Sequence, residues 1–226
     1  MSLSAAEVQA RDGLHDWRVV ARRLHGTFRT GTMVRGIELV RRIGDLAEEL
    51  DHHPDMDVRY FRVHVVLTTH DAGGLTENDV TLARRISALA AELGIEAEPA
   101  RAQRVELTVD ARDVAAVAPF WRAVLGYRTP AGEPPGPAGT LVLADPAGRG
   151  PTVHLQRAAA PARVRLDVHL PHDEAPARVR AALDAGGQLV ADDAAPAQWI
   201  LADAEGNAVR LRTWQPPEPP VHDAVP

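Results

Sequence analysis

Residues 31–54 read GTMVRGIELVRRIGDLAEELDHHP, and this stretch sets the architecture of the first half of the chain. Its apolar residues recur at spacings of three and four, which indicates one face of a helix. That face consists of Met33, Ile37, Val40, Ile43, Ala47 and Leu50. Because Pro54 cannot continue a helix and restricts the residue before it, we expect the helix to end within Glu48–Pro54.

Shorter patterns flank this helix on both sides. Before it, they predict a short helix over Ser4–Arg11 with Ser4 as its N-cap, and two strands within Trp17–Arg29 with Gly26 between or near them. After it, they predict a strand over Asp57–Thr69 and a second long helix over Thr76–Leu93. The second long helix starts with the capping box Thr76-Glu77-Asn78-Asp79. Two amphipathic helices against a small antiparallel sheet make a two-layer α+β domain.

The second half repeats a β-α-β-β-β pattern twice, in units of about 55 residues. Its predicted strands are 105–109, 141–144, 151–156, 164–170, 189–191, 198–202 and 208–212, and its predicted helices are 114–125 and 175–185. Residues 1–98 contain one proline and the remaining 17 follow. We therefore expect domains at 1–98 and 99–215, a linker over Glu96–Arg101 and a proline-rich tail at 216–226.

Composition excludes several classes of protein. The chain has no cysteine, which rules out disulfide scaffolds, thiolate metal sites and cysteine nucleophiles. Its formal net charge is −6, without the basic surplus of a nucleic-acid-binding protein. We see no membrane-spanning apolar run and no secretory signal in the sequence, so we expect a cytoplasmic protein with no nucleic-acid or membrane partner.

Three histidines are candidates for proton transfer. His52 and His53 lie at the predicted helix C-terminus, where the helix dipole favours protonated imidazoles, and His70 follows the strand that ends at Thr69. If these ends meet at one edge of the fold, they supply an acid and a base that titrate near neutral pH. The alternatives are a solvated helix cap and a zinc site. The zinc site is the less natural of the two, because the side chains of the adjacent His52 and His53 diverge. His64, on the other strand face, is interpreted as a packing or surface residue.

The run Glu48-x3-His52-His53-Pro54-x5-Tyr60-x9-His70-x8-Asp79 resembles the signature of the pterin-4a-carbinolamine dehydratase family, also known as dimerisation cofactors of a homeodomain factor. The resemblance covers residues 4–94, and Trp17 and Phe28 stand where the family has aromatic residues. One position departs: Met56 stands where many members have tryptophan.

This resemblance implies a hydro-lyase that needs neither metal nor other cofactor. It would dehydrate 4a-hydroxytetrahydropterin to quinonoid dihydropterin in tetrahydrobiopterin recycling, and self-associate. The implied acid–base set is His52, His53 and His70, with His53 or His70 as the acid and His52 as the base or ring orienter. The implied pterin-binding residues are Glu48, Asp51, Pro54, Thr68, Thr69, Asp71 and Asp79. Glu48 is expected to orient His52, and Asp79 to orient His70 or to cap its helix.

The second half resembles the glyoxalase-like, or vicinal oxygen chelate, superfamily over residues 103–213. The resemblance rests on Leu107-Thr108-Val109-Asp110-x2-Asp113-x6-Phe120-Trp121-x3-Leu125-Gly126-Tyr127 and on Asp203-x-Glu205-Gly206-Asn207. Glu106 falls near the first metal-ligand position of that superfamily. Arg210 stands where an acidic ligand is expected, and His154, Gln156 and His169 are the remaining possible ligands. We predict no catalytic metal, because a cationic side chain repels a divalent ion.

Two other functions remain open at this stage. The chain could be mainly a metal-dependent lyase, isomerase or dioxygenase of the glyoxalase type, against which Arg210 argues. It could also be a non-enzymatic dimerisation cofactor, a role that relatives of the first half also have.

Overall fold

Antiparallel strands and two long helices form the first of the two units into which the chain divides, Met1–Gln103 and Arg104–Pro226. The computed structural model describes residues 2–69, 71–130, 139–159, 164–202 and 208–217. The elements of the first unit are α1 (Ala5–Gln9), β1 (Trp17–Val20), β2 (Arg23–Arg29), α2 (Met33–Leu50), β3 (Asp55–Arg59), β4 (Arg62–Leu67), α3 (Glu77–Glu92) and β5 (Glu96–Ala97). The predicted α+β class is confirmed, and Ser4 caps α1 as expected.

The first sheet has the order β1-β2-β4-β3, with β5 paired to β2. The single strand predicted over Asp57–Thr69 was wrong, because β3 and β4 form a hairpin in which Arg59 pairs with Arg62. Tyr60 makes the turn at φ 55°, a left-handed conformation that the alternating pattern does not reveal.

Gly26 lies inside β2 and does not separate two strands. The break is instead at Ala21 and Arg22, which both have positive φ and form a two-residue hairpin turn. Gly26 faces Trp17 across the strand pair, and a Cβ at residue 26 would lie 2.9 Å from the Trp17 ring. The glycine therefore makes room for an indole, whose Nε1 donates to Ser87 Oγ on α3 at 3.0 Å.

Helix α2 packs on the sheet with a face rotated from the predicted one. Its buried residues are Gly36, Leu39, Ile43 and Ala47. Two residues of the predicted stripe, Met33 and Ile37, are 46% and 58% exposed. Gly36 lies on the buried face, where an added Cβ would lie 3.3 Å from Thr30 Oγ1 and 3.6 Å from Val63 on the sheet. Helix α3 buries Val80, Ala83, Ile86, Leu89 and Ala90.

The segment Glu96–Arg101 belongs to the first unit and is not a free linker. Glu96 and Ala97 pair with β2, Pro99–Arg101 form one 3₁₀ turn, and Glu98 accepts a hydrogen bond from Arg62 Nε at 2.5 Å. Because Ala102 is buried, this connection is fixed against the first unit.

The described residues of the second unit form one seven-stranded sheet and two helices. Its elements are β6 (Arg104–Ala111), α4 (Val114–Leu125), β7 (Leu141–Leu143), β8 (Thr152–Arg157), β9 (Val164–His169), α5 (Ala175–Asp184), β10 (Gln188–Ala191), β11 (Gln198–Ala202) and β12 (Ala208–Arg212). The strand order is β10-β11-β12-β9-β6-β8-β7. The second copy of the predicted repeat is complete. In the first copy, Arg128 lies between α4 and β7 and forms an isolated β-bridge with Ala144, which follows β7.

The two faces of this sheet differ in character. Val109, Val153 and Leu155 pack with α4, and Leu201 and Leu211 pack with α5. The alternate residues of β6, β8, β9 and β12 present a charged face. Asp203, Glu205 and Asn207 of the sequence motif and residues 218–226 of the predicted tail lie outside the described residues.

Among the helices of the described residues, none combines the length and the apolar character needed to cross a lipid bilayer.

Candidate functional site: the junction of two helix ends

Helix α2 ends in a turn that directs His52 back towards the core. Asp51 adopts the left-handed conformation at φ 47°, and the His52 N–H donates to the Ala47 carbonyl at 3.0 Å. With the Asp51 N–H donating to Glu48 O at 3.3 Å, this is a Schellman motif, in which the second residue past the helix commonly packs against its last turn. His52 is accordingly 8% exposed.

The buried imidazole of His52 contacts the first turn of α3. His52 Nε2 lies 2.9 Å from Asp79 Oδ1. Asp79 is completely buried and is the third residue of α3, where it completes the capping box predicted from the sequence. An ionised carboxylate only accepts hydrogen bonds, so Nε2 of His52 is the donor wherever Asp79 is ionised.

The second oxygen of Asp79 is held by two threonines. Thr69 Oγ1 donates to Asp79 Oδ2 at 2.8 Å, and the Thr76 N–H donates to the same oxygen at 2.7 Å. Thr76 Oγ1 lies 2.8 Å from Thr69 Oγ1 and donates to it, since the Thr69 proton points to Asp79. Thr76 was not predicted to belong to the site beyond its cap. The capping box was the sequence signal that could have identified it.

His53 lies on the surface beside its partner Glu48. Its side chain is 58% exposed, and its Nε2 lies 3.2 Å from Glu48 Oε1. The expectation that Glu48 orients His52 was therefore wrong: the left-handed turn at Asp51 moves His52 inward and leaves His53 above the last turn of α2. The expectation that Asp79 caps its helix is confirmed, and its imidazole partner among the described residues is His52.

The other predicted pterin-binding residues surround this junction. Thr69 pairs with Gly74, whose carbonyl accepts from the Thr69 N–H at 2.9 Å, so the chain folds back between them. Asp51 and Asp71 are exposed, whereas Pro54, Thr68 and Met56 are half-buried. His70 lies outside the described residues. The structure thus brings together His52, Thr69 and Asp79, with His53 and Glu48 beside them.

A second pair of imidazoles lies on the sheet face opposite the helices. His64 Nδ1 is 2.8 Å from Thr27 Oγ1, and His64 Nε2 is 3.3 Å from His25 Nδ1. Burial lowers the pKa of His64, although the charge of Asp57 opposes this shift. His64 is thus a hydrogen-bonded packing residue, as interpreted from the sequence.

The charged face of the second unit contains a carboxylate between two imidazoles. Glu106 Oε2 accepts hydrogen bonds from His154 Nε2 at 3.1 Å and from His169 Nε2 at 3.2 Å. Burial raises the pKa of Glu106, but the two hydrogen bonds outweigh it and hold the pKa well below its ordinary value. Gln156 lies on the same strand as His154, two residues on.

Arg210, which the sequence resemblance sets at an acidic ligand position, is engaged by a buried carboxylate. Its Nη2 donates to Asp167 Oδ2 at 2.6 Å and its Nε donates to Oδ1, so both carboxylate oxygens of Asp167 are engaged. Thr108 Oγ1 also donates to Asp167 at 3.0 Å. In the described part of the chain, no three His, Asp or Glu side chains are arranged to hold a metal ion. Arg210 and Asp167 do not fit a divalent cation, because the guanidinium is cationic and engages both carboxylate oxygens.

Each unit is similar to a known sequence family. Residues 1–89 match the sequence model of the pterin 4 alpha carbinolamine dehydratase family, and residues 106–212 match that of the glyoxalase-like domain. A protein of Herpetosiphon aurantiacus, provisionally named pterin-4-alpha-carbinolamine dehydratase, is 46% identical over 82 residues, which are 36% of this chain and 85% of that protein.

Two further similarities concern the same part of the chain. A provisionally named pterin-4-alpha-carbinolamine dehydratase of Thermosynechococcus vestitus is 44% identical over 89 residues, covering 39% of this chain and 94% of that protein. The crystal structure of a transcriptional coactivator/pterin dehydratase from Brucella melitensis is similar at 31% identity and a TM-score of 0.36, over 40% of this chain and 99% of that one. Through its first unit, the chain belongs to the pterin 4 alpha carbinolamine dehydratase family.

Proposed function

We propose that the first unit dehydrates a 4a-hydroxytetrahydropterin to the quinonoid dihydropterin, as a hydro-lyase in pterin recycling. The observation that carries this proposal is the His52–Asp79 contact at 2.9 Å, beside the second imidazole of His53. Two features support it: the His52 imidazole contacts a buried carboxylate, and the side chain of the next residue, His53, is 58% exposed. The family membership of the unit supports the choice of substrate.

The reaction needs two proton transfers. The C4a–O bond breaks and its electron pair leaves with the oxygen, which takes a proton from an acid and departs as water. N5 gives its proton to a base, and the electrons of that N–H bond form the C4a=N5 double bond. Solvent returns the proton from the base to the acid, so the enzyme is regenerated without a cofactor. Histidine suits both roles near neutral pH.

We assign the acid to His53 or His70 and the base to His52. Asp51, Pro54, Thr68, Asp71 and Glu48 would hold the pterin around them, with Thr69 and Asp79 behind His52. His53 suits an acid that must exchange protons with water, because its side chain is 58% exposed. His52 suits a base of fixed orientation, because Asp79 engages its Nε2.

Single alanine replacements test the assignment. We expect His52→Ala, His53→Ala and His70→Ala each to lower the rate of enzymatic dehydration by about 10²-fold or more. The assay follows the absorbance of a carbinolamine generated by an aromatic amino acid hydroxylase. His15→Ala is the matched control, since the His15 side chain is 81% exposed and paired with Asp16. Wild-type rates in all three site variants would overturn the proposal.

We also propose that the chain self-associates through the first unit. The large exposed apolar side chains of that unit are Met33, Val34, Ile37, Val58 and Tyr60 among its described residues, on α2 and the β3–β4 hairpin. Val34→Glu should lower the mass measured by light scattering, whereas Val190→Glu, at an equally apolar exposed site of the second unit, should not. A wild-type monomer, or an effect of Val190→Glu alone, would contradict this.

For the second unit we propose a binding or dimerising module without a catalytic metal. The ion pair of Arg210 with Asp167 supports this, because a cationic side chain repels a divalent ion. Elemental analysis after exposure to zinc and nickel tests it: we expect less than one tenth of an ion per chain, and one tightly held ion per chain would overturn it.

A further inference from the structure

A row of four polar side chains lies at one end of the charged face of the second unit. Arg212 of β12 pairs with His169 of β9 and with Gln198 of β11. His169 in turn pairs with Arg104 of β6. Residues that pair directly across neighbouring strands point to the same side of a sheet, so these four stand side by side at about 4.8 Å per strand. We call them the donor row, because all four can donate N–H groups and none is a carboxylate.

The charged face has one more arginine than it has carboxylates. Among the described residues of β6, β8, β9 and β12 that point to this side, the charged ones are Arg104, Arg165, Arg210, Arg212, Glu106, Asp110 and Asp167. Asp110 accepts from Arg165 Nη2 at 2.6 Å. Asp167 is paired with Arg210, and Glu106 with two imidazoles. With both imidazoles neutral, one positive charge on this face is left without a negative one.

Arg212 carries this surplus charge. Arg104 Nη2 donates to Thr152 Oγ1 at 2.7 Å, and its Nε lies 3.6 Å from Glu106 Oε1. By contrast, the guanidinium of Arg212 has no hydrogen-bond or ion-pair partner among the described residues, although the residue is half-buried. The half-buried Gln198 amide likewise has no side-chain partner among them. A cation that is partly withdrawn from water without a counter-charge is unfavourable, and a bound anion would relieve that cost.

We propose that the donor row binds the carboxylate of a small organic acid, with Arg212 as its anchor and Gln198 as a second donor. The planar guanidinium matches a carboxylate with two parallel hydrogen bonds. A carboxylate monoanion neutralises the single surplus charge, whereas a phosphate dianion would exceed it. This inference rests on the proposed role of the second unit as a binding module without a catalytic metal, and it names the class of ligand.

An apolar side chain beside the donor row indicates the rest of the ligand. Ile200 pairs with Arg210, so it points to the same side of the sheet, two residues along β11 from Gln198. Ile200 is half-buried, and both helices of the unit pack against the opposite side of the sheet. Contact with a hydrocarbon or aromatic group would remove its remaining apolar surface from water. We therefore expect an acid whose carboxylate is attached to an apolar body.

Benzoate is the probe for this site. It is titrated into the full chain, and binding is followed through the backbone amide signals of β12 in ¹H–¹⁵N NMR spectra. We expect shifts that saturate with benzoate. Benzamide has the same ring without the charge, and we expect it to bind about tenfold more weakly or worse, because a hydrogen bond to a charged group contributes more than a neutral one.

Three variants locate the site. Arg212→Gln should weaken benzoate binding by about tenfold or more, because it removes the charged donor. Arg180→Gln is the matched control, since Arg180 is exposed on α5 on the other side of the sheet, and it should bind benzoate as the wild type does. Ile200→Ala should weaken benzoate binding by about threefold or more and leave acetate binding unchanged, because acetate has no ring to contact it.

Three results would overturn the proposal: shifts in the wild type that do not saturate, equal binding of benzoate and benzamide, or tighter binding of inorganic phosphate than of benzoate. The comparison of benzoate with benzamide uses the wild type, so it decides the matter if Arg212→Gln does not fold. Zinc content is a separate measurement. A metal-free chain that does not bind benzoate would refute this site alone, and a chain that holds zinc and binds benzoate would refute the metal-free module alone.

Discussion

His52 Nε2 and Asp79 Oδ1, 2.9 Å apart, connect the end of one helix to the start of another across 27 residues of sequence. Each residue also belongs to a helix-capping structure: His52 closes the Schellman turn of α2, and Asp79 closes the capping box of α3. The geometry of the candidate site therefore depends on the same hydrogen bonds that end and begin the two helices.

Asp51→Gly should separate stability from activity. Asp51 has φ 47°, a conformation that is strained for a residue with a Cβ and relaxed for glycine. We therefore expect the free energy of unfolding of the glycine variant to rise by about 0.5–1 kcal/mol. Turnover should fall, because the proposed pterin contact of the carboxylate is lost. Urea unfolding and the dehydration assay measure the two effects. Asp51→Val should lose about 1–2 kcal/mol at the same position. A glycine variant less stable than the wild type would contradict the account of the turn.

Gly26→Ala should destabilise the first unit. The added Cβ would lie 2.9 Å from the Trp17 ring and 3.0 Å from Phe28, and overpacking of this kind costs about 1–3 kcal/mol. Gly44→Ala is the matched control, because its Cβ would meet nothing within 4 Å on α2 and a helical alanine gains about 0.5–1 kcal/mol. Equal unfolding midpoints for the two variants would refute the packing role of Gly26.

Periodicity predicted both long helices and the repeat in the second unit, because their apolar faces are continuous over several turns or strands. It missed what depends on single backbone conformations. The turns at Ala21–Arg22 and at Tyr60 use residues other than glycine at positive φ, so Gly26 was given the wrong role and one strand was drawn where a hairpin lies.

The same limit applies to the candidate site. The family signature identified His52, His53 and Asp79, but the pairing of Glu48 with His53 depends on the left-handed Asp51 and could not be read from spacing. Likewise, spacing alone did not show that Gly36 lies on the buried face of α2 and that Ile37 is 58% exposed.

Arg210→Met should destabilise the second unit strongly. It would leave Asp167, which is 2% exposed, as a buried carboxylate without its guanidinium, at a cost of about 3–5 kcal/mol. The double variant Arg210→Met with Asp167→Leu removes both charges and should recover most of that loss. Denaturant unfolding followed by tryptophan fluorescence measures both. If the double variant is no more stable than the single one, the ion pair is not the source of the effect.

His64 should make the first unit less stable in acid. Its pKa lies below the ordinary 6.5 because burial disfavours the charged imidazole, so between the two pKa values the unfolded chain binds a proton that the folded chain does not. The contribution of neutral His64 is therefore complete above pH 6.5 and declines as the pH falls through that value.

His64→Gln should reduce this dependence. The difference in unfolding free energy between pH 7.5 and 5.5 should be smaller in the variant than in the wild type, while His15→Gln, at an exposed histidine, should match the wild type. A variant with the full pH dependence of the wild type would show that His64 is not the responsible group.

The most direct test of the proposed chemistry is the rate at which the full chain consumes a freshly generated 4a-hydroxytetrahydropterin, compared with a variant in which His52, His53 and His70 are all alanine. We predict that the wild type accelerates formation of the quinonoid dihydropterin well above the uncatalysed rate and that the triple variant, still folded by circular dichroism, returns to that rate. Equal acceleration by both proteins would contradict proton transfer by these imidazoles.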